Sequence, residues 1–400
     1  MTAGRFRVLY HLALVVLFVG TGVRHAGYRV ISVDELHPLL TARNILDTGS
    51  LYFTDGNRAV YDAFYPQWPL PVSRNVGRAY SFRGALPAVP LALLMAVARP
   101  LAGCHNLLAL GIMLWVLHRL QLDWRVPAGR YYLAVTALVF GCAATAHWFT
   151  FFPYVLVGAL LALQVYAYDR YCRDGRQHNL MLAALALTAL IIARQEMIII
   201  ALVPLAALTW RRRHAADRRY VTAAAALAAA LLAGGGNNLL FNYLNAGTWG
   251  NNGQGELHWM TAGLWRWLLE PNENPLLLNP WLLLAVAWRD SRRAWPYLLT
   301  ALVAAGLYSC WWGWDSGYLR QLVPALMLAT PLLLTMRVRS VTVVLVMLGV
   351  VANAAYFVVP YFDVYDVWQI SNGSSAEIAE PLLPWQLLYA QAQEAIIRFQ

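Results

Sequence analysis

GALPAVPLALLMAVA, residues 84–98, decides how this chain is threaded. The stretch is apolar, but it carries Pro87 and Pro90, is flanked by Arg83 and Arg99, and falls short of the ~20 residues that a spanning helix needs. Counted as a crossing, it would invert every loop downstream. Read as an interfacial or re-entrant helix on the outer face, it leaves five later arginine clusters on one side, as the positive-inside rule requires. These are Arg119/Arg125/Arg130, Arg170/Arg173/Arg176, Arg211 to Arg213 with Arg218/Arg219, Arg289/Arg292/Arg293, and Arg337/Arg339. Arg5 and Arg7 put the N-terminus on that same, cytoplasmic side. The predicted spans are 9–23, 103–118, 129–148, 154–169, 179–193, 197–210, 220–240, 276–288, 294–311, 320–336 and 340–359, about eleven by length and charge. The first is read as an uncleaved helix, because Gly20-Thr21-Gly22 runs on into polar sequence without an A-x-A step.

Composition agrees with an all-α polytopic membrane protein: 60% of residues are hydrophobic and 12% charged. No polar stretch is long enough for a separate soluble domain, so residues 1–400 read as one membrane domain. Its outer parts are a first loop at 24–102, a second at 241–275 and a C-terminal segment at 360–400. All 30 basic residues are arginine, giving a net charge of +10. They lie between apolar runs rather than along one face, which argues against nucleic acid and for topology. Cys104, Cys142, Cys172 and Cys310 show neither CxxC nor zinc spacing, so neither a disulfide nor a metal is expected.

This threading gathers the polar stretches on the outer face. Asp34-Glu35 follows the first span, and charge beside a bilayer points to function. Capping is the alternative, since Ser32-Val33-Asp34-Glu35 fits the S-x-x-E box. Pro38 counts against it, because a helix from Ser32 would lose the bond to the Asp34 carbonyl. The helix is therefore expected to begin near His37-Pro38 and to stop at Gly49. Arg194 and Glu196 occupy a tight outer turn, where arginine either binds phosphate or anchors the helix end. In the run from Cys310 to Arg320, Trp312 and Trp314 fit an aromatic belt, whereas Gly313 and Gly317 around Asp315 fit a ligand-binding loop. Asn238 and Asn242 end an apolar helix, as hydrogen-bonding groups for a ligand or as its exit turn.

VDELHPLLTARNILDTGSLY after one N-terminal span resembles the first-loop signature of the GT-C glycosyltransferases, the class that includes protein O-mannosyltransferases and lipid A aminoarabinose transferases. ARQEMIIIALVPL is similar to the family's outer arginine turn. NNLLFNYLNAGTWGNNG is similar to its asparagine segment, and WWGWDSGYLRQLVPAL to its W-W-G-G-x-x-x-G-P-R stretch. Trp314 and Asp315 replace small residues in that last stretch, and Tyr318-Leu319 replaces Gly-Pro. The resemblance implies a GT-C-like fold in a bacterial inner (plasma) membrane. It also implies transfer of a sugar from a polyprenyl-phosphate carrier to a glycan, glycolipid or protein acceptor at the extracytoplasmic face, without a cofactor.

The chemistry matches these residue types. A hydroxyl acceptor needs a carboxylate to take its proton, and arginine can stabilise the charge on the departing lipid phosphate. The expected roles are Asp34 as general base, Glu35 as second acid, Arg194 and Arg320 as phosphate contacts, and Glu196, Trp312, Trp314, Asp315, Asn238 and Asn242 as substrate contacts. A transporter or flippase of a lipid-linked sugar is the alternative, although the chain has no paired, similar halves.

Overall fold

The computed structural model describes residues 3–25, 33–64, 70–81, 86–148, 153–194, 197–211, 219–247, 275–286, 293–309, 322–337 and 339–354. The all-helical expectation holds: 83% is helix, with no strand among the described residues. The helices are α1 (Ala3–His25), α2 (Val33–Thr48), α3 (Asp55–Phe64), α4 (Ala88–Val97), α5 (Leu107–Asp123), α6 (Ala128–Phe140), α7 (Tyr154–Asp174) and α8 (Gln177–Ala193). After them come α9 (Met197–Arg211), α10 (Arg219–Ala246), α11 (Pro275–Leu278), α12 (Trp295–Ser309), α13 (Val323–Ala329), α14 (Leu332–Thr335) and α15 (Ser340–Asn353). Short 3₁₀ turns at Arg99–Cys104, Ala143–His147 and Pro280–Val286 link or extend them.

Among the described residues, two helical stretches are long and apolar enough to cross a membrane, Leu101–Asp123 and Val221–Ala246. Several other apolar helical stretches run to only 10–17 residues, and for some of them the sequence shows why. Only Asn279 lies between α11 and the 3₁₀ turn that Pro280 opens, and Thr330-Pro331 separates α13 from α14, because proline cannot donate the helical bond. α6 stops at Gly141, where an added Cβ would stand 3.2 Å from the Val346 carbonyl oxygen. α5 closes differently. Arg125 takes a left-handed φ of 52°, and the Val126 and Arg125 N–H groups donate to the Gln121 and Leu122 carbonyls, a Schellman ending.

Helix α7 forms the middle of the bundle, with nearly every side chain from Tyr154 to Tyr168 buried against α5, α8, α9 and α13. A helix buried on all sides is apolar all round. The peripheral helices are apolar on their outward faces too. Val8, Leu12 and Val16 of α1, Leu232, Leu239 and Leu240 of α10, and Val344, Leu348 and Val351 of α15 are all exposed.

The helices alternate between two ends. At one, Cys104 Sγ donates to the Val19 carbonyl, Asn106 Nδ2 to Trp148 O, Trp281 Nε1 to Gly141 O and Asn353 Nδ2 to Leu278 O. This is also the end of the first loop. At the other, Arg170 pairs with Asp123 at 2.7 Å, Arg130 donates to the Leu334 and Thr335 carbonyls, and Arg293 donates to Trp124 O. The described arginines of the clusters that begin at Arg119, Arg170 and Arg289 thus share one end of the bundle. Helix α4, the core of the segment that decides the threading, packs on α2 and on the turn Arg99–Cys104, which itself lies against α1.

Candidate functional site

Helix α2 begins at Val33 rather than near His37-Pro38, and Pro38 lies inside it. Asp34 and Glu35 therefore occupy its first turn instead of the approach to it. The lost bond to the Asp34 carbonyl, a cost of ~3 kcal/mol for a proline in a helix interior, is outweighed by packing. Pro38, Leu40 and Ala42 are buried, and α2 is held by α3 on one side and α4 on the other. Glu35 is the third helical residue, the position of the acid in a capping box. Gly49 ends the helix as expected, with φ 66° and its N–H donating to the Ile45 carbonyl. The side chains of Asp34 and Glu35 lie outside the described part of the structure.

The register of α2 separates the two acids. At about 100° per residue, position 34 shares a face with His37, Thr41 and Asn44, and position 35 does not. That face is polar and buried: His37 and Asn44 are fully enclosed and Thr41 nearly so. Thr41 Oγ1 donates to the His37 carbonyl at 2.8 Å, and the His37 ring lies 5.3 Å from that of Tyr61. Asn44 Oδ1 accepts from Asn57 Nδ2 at 2.5 Å and from the Thr54 N–H. Thr54 in turn caps α3 by accepting from the Asn57 N–H at 3.1 Å. These residues were not singled out from the sequence. Their spacing, i, i+4, i+7 from His37, was the available signal.

A loop at residues 70–81 carries this assembly to α10. Bridges Tyr52 to Tyr80 and Val72 to Ala79 shape it, and Leu70 and Ala79 join Leu40, Phe53 and Tyr61 in a small core. Its turn docks on the end of α10. The Arg74 N–H donates to Asn245 O at 2.9 Å, Asn75 Nδ2 donates to Leu244 O, and the Tyr80 and Phe241 rings meet edge to face at 5.8 Å. Burial pushes the Tyr80 phenol above its ordinary range. Gly247 closes α10 with φ 70°, its backbone pressed against the Arg74 side chain.

From α10 the contacts reach Arg194. Asn238 Nδ2 donates to Ile191 O at 2.7 Å, so its amide ties α10 to the last turn of α8, three residues before Arg194. The Arg194 guanidinium lies 4.7 Å from the centre of the Tyr154 ring at the start of α7. A half-buried arginine over an aromatic face is held by cation–π attraction, and a guanidinium is a planar fork of N–H donors matched to phosphate oxygens. Asn242 is half-buried one turn beyond Asn238. The structure thus brings the first loop, Asn238, Asn242 and Arg194 to one end of the bundle. Glu196, Trp312, Trp314, Asp315 and Arg320 lie outside the described residues.

An open apolar groove of about 430 Å³ lies at the opposite end, between α7, α9 and α10, lined by Tyr168, Leu202, Leu205, Thr209, Trp210 and Leu227 among others. It is nowhere near Arg194 and offers almost no polar surface, so it does not form the candidate site. Among the described residues no three His, Cys, Asp or Glu side chains converge as metal ligands would. Comparison with protein-family models, with curated proteins and with solved structures found no match.

Proposed function

We propose that this chain is a polytopic membrane glycosyltransferase that inverts the sugar it moves from a polyprenyl-phosphate carrier to an acceptor hydroxyl at the extracytoplasmic face. In this reading the first-loop end faces outward, the arginine end lies in the cytoplasm, and about eleven helical segments cross the bilayer. The apolar outward faces of α1, α10 and α15 support contact with lipid, since a water-soluble protein rarely exposes such continuous apolar surface. Short helices cross with the help of their 3₁₀ extensions, as Leu101–Asp123 does.

One observation carries the assignment of the site. Position 34 lies on the buried polar face of α2, at the end of the bundle that also holds Arg194. The acceptor O–H gives its proton to the Asp34 carboxylate as its oxygen bonds to the anomeric carbon. The bond from that carbon to the phosphate oxygen breaks on the opposite face, and polyprenyl phosphate departs with the electron pair. Arg194 stabilises the charge that builds on this phosphate. A single displacement inverts the anomeric centre.

A translocation path fits less well. The middle of α7 packs apolar residues on all sides, and its buried Gln164 already donates to the Ala201 carbonyl. The test is purified protein in liposomes with labelled polyprenyl-phosphate sugars and a membrane extract as acceptor. Label on the acceptor supports a transferase. Carrier that crosses the bilayer with its sugar intact would overturn that assignment in favour of a flippase.

A further inference from the structure

At the arginine end of α1, α5 and α6, an arginine and two histidines converge, and among the described residues no acid joins them. Arg7 of α1 reaches Gln121 Oε1 at 3.3 Å and His118 Nδ1 at 3.4 Å, both on α5. Its guanidinium also lies 5.6 Å from the centre of the Tyr131 ring on α6. His11, one turn along α1, bonds the Tyr131 hydroxyl through Nε2 at 2.7 Å. Both histidine rings meet Tyr131 edge to face, at 5.7 and 5.9 Å, so the phenol is the hub of the cluster. The other described titratable groups on these elements include Tyr10, bonded to Thr136, Tyr132 beside it, Arg119, which lies over Trp115, and Arg130, which donates to the Leu334 and Thr335 carbonyls. Asp123, the nearby α5 carboxylate, is committed to Arg170 at 2.7 Å and Arg173 at 3.5 Å.

Among the described residues Arg7, His11 and His118 thus have no carboxylate partner. The two Arg7 hydrogen bonds lie beyond the usual N–H···O range, so its donors are weakly used. A half-buried arginine with donors to spare, beside two imidazole rings whose nitrogens can hydrogen-bond, suits an anion with several oxygens. The surroundings point to where that anion comes from. Val8, Leu9 and Leu12 of α1 and Trp115 and Leu122 of α5 are exposed apolar side chains on the same helices.

We propose that Arg7, backed by His118 and His11, seats the phosphate of an anionic phospholipid of the cytoplasmic leaflet, with the acyl chains lying along the outward face of α1. This rests on the membrane reading above, but the site is at the opposite end from Asp34 and independent of glycosyl transfer. A headgroup with its own ammonium fits poorly, because among the described residues the cluster around Arg7 holds no acid to receive it.

The experiment compares the full chain in nanodiscs of phosphatidylcholine with and without phosphatidylglycerol, counting by native mass spectrometry the lipids retained on release. The wild type is expected to retain phosphatidylglycerol selectively, and Arg7→Gln to retain at least about tenfold less, the scale of one lost charge-assisted contact. His118→Gln, which leaves Arg7 and its charge in place, is expected to give a smaller loss. Arg58→Gln, at an exposed ion pair of the first loop, leaves retention unchanged. Equal retention of both lipids by the wild type, or full retention by both Arg7→Gln and His118→Gln, overturns the proposal. So does inorganic phosphate in detergent raising the unfolding temperature as much as the lipid does, since the site would then take a soluble anion. Recovery of the protein in the carbonate-soluble fraction would instead defeat the membrane reading itself.

Discussion

The register of α2 predicts that Asp34→Asn and Glu35→Gln, adjacent and chemically alike, differ sharply in effect. Residues 34, 37, 41 and 44 fall within about 80° of one another around the helix, and residue 35 lies about 140° from the middle of that face. His37, Thr41 and Asn44 show that this face is polar and closed to solvent, which suits a base that takes a proton from a bound hydroxyl. Removing a general base costs about 10²–10⁴ in rate, equivalent to about 2.7–5.4 kcal/mol of transition-state stabilisation. Asp34→Asn keeps the shape of the side chain and should therefore lower kcat by that factor, with little change in KM for the lipid donor. Glu35→Gln should stay within about threefold of wild type, because position 35 lies off the polar face and removing a charge near the helix start affects capping and little else. Initial rates of labelled-sugar transfer by the purified variants, normalised to the amount inserted in the membrane fraction, measure both. A severe loss in Glu35→Gln with Asp34→Asn nearly intact would refute the register argument, and full activity in both would remove α2 from the chemistry.

Three further outcomes test the architecture. Gly236→Ala should stabilise the protein by up to ~1 kcal/mol of helix propensity, because its added Cβ meets nothing within 4 Å. Gly349→Ala makes the same gain but sets its Cβ 2.7 Å from the Gly141 carbonyl oxygen, a backbone atom that cannot swing aside, and overpacking of ~1–3 kcal/mol should win. Thermal unfolding in detergent should therefore move in opposite directions for the two. Asp174 predicts an acid limb. Burial pushes its carboxyl up, but the Arg176 N–H, the Asn179 amide and the charges of Arg170 and Arg176 outweigh that and hold it below the ordinary range. Its stabilisation is complete above the ordinary carboxylate pKa of about 3.9 and is lost as pH falls through the lower folded value. The unfolding temperature of Asp174→Asn should accordingly depend less on pH in that window than that of wild type. Finally, Gly247→Val forces a β-branched residue to φ 70°, costing at least ~1–2 kcal/mol, and loosens the loop docked there. Trypsin should cut faster at Arg74 and Arg78, both exposed, and an unchanged rate would mean that the docking does not depend on this turn.

How far the sequence revealed these features depended on whether their causes were local. The helical content and the two-ended arrangement of the arginines were legible, because apolar run length and charge placement are properties of short stretches. The breaks at Pro280 and Pro331 were visible as prolines, but each break was absorbed into a predicted span (276–288 and 320–336), because hydropathy does not count hydrogen bonds. The start of α2 was misplaced for the opposite reason. Pro38 was weighed by its local cost, whereas the burial of Pro38, Leu40 and Ala42 between α3 and α4 depends on residues up to position 97. The same distance hid the role of Asn238, whose amide serves Ile191 in another helix. The misplaced start matters most for function. A helix beginning at His37 leaves Asp34 and Glu35 equivalent on an extended approach, and no property of the residue types distinguishes them. Once the helix begins at Val33, a period of about 3.6 residues per turn puts one of them on the polar face and the other off it. The choice between the two acids is therefore set by where the backbone enters the helix, and that is fixed by tertiary burial rather than by the acidic motif.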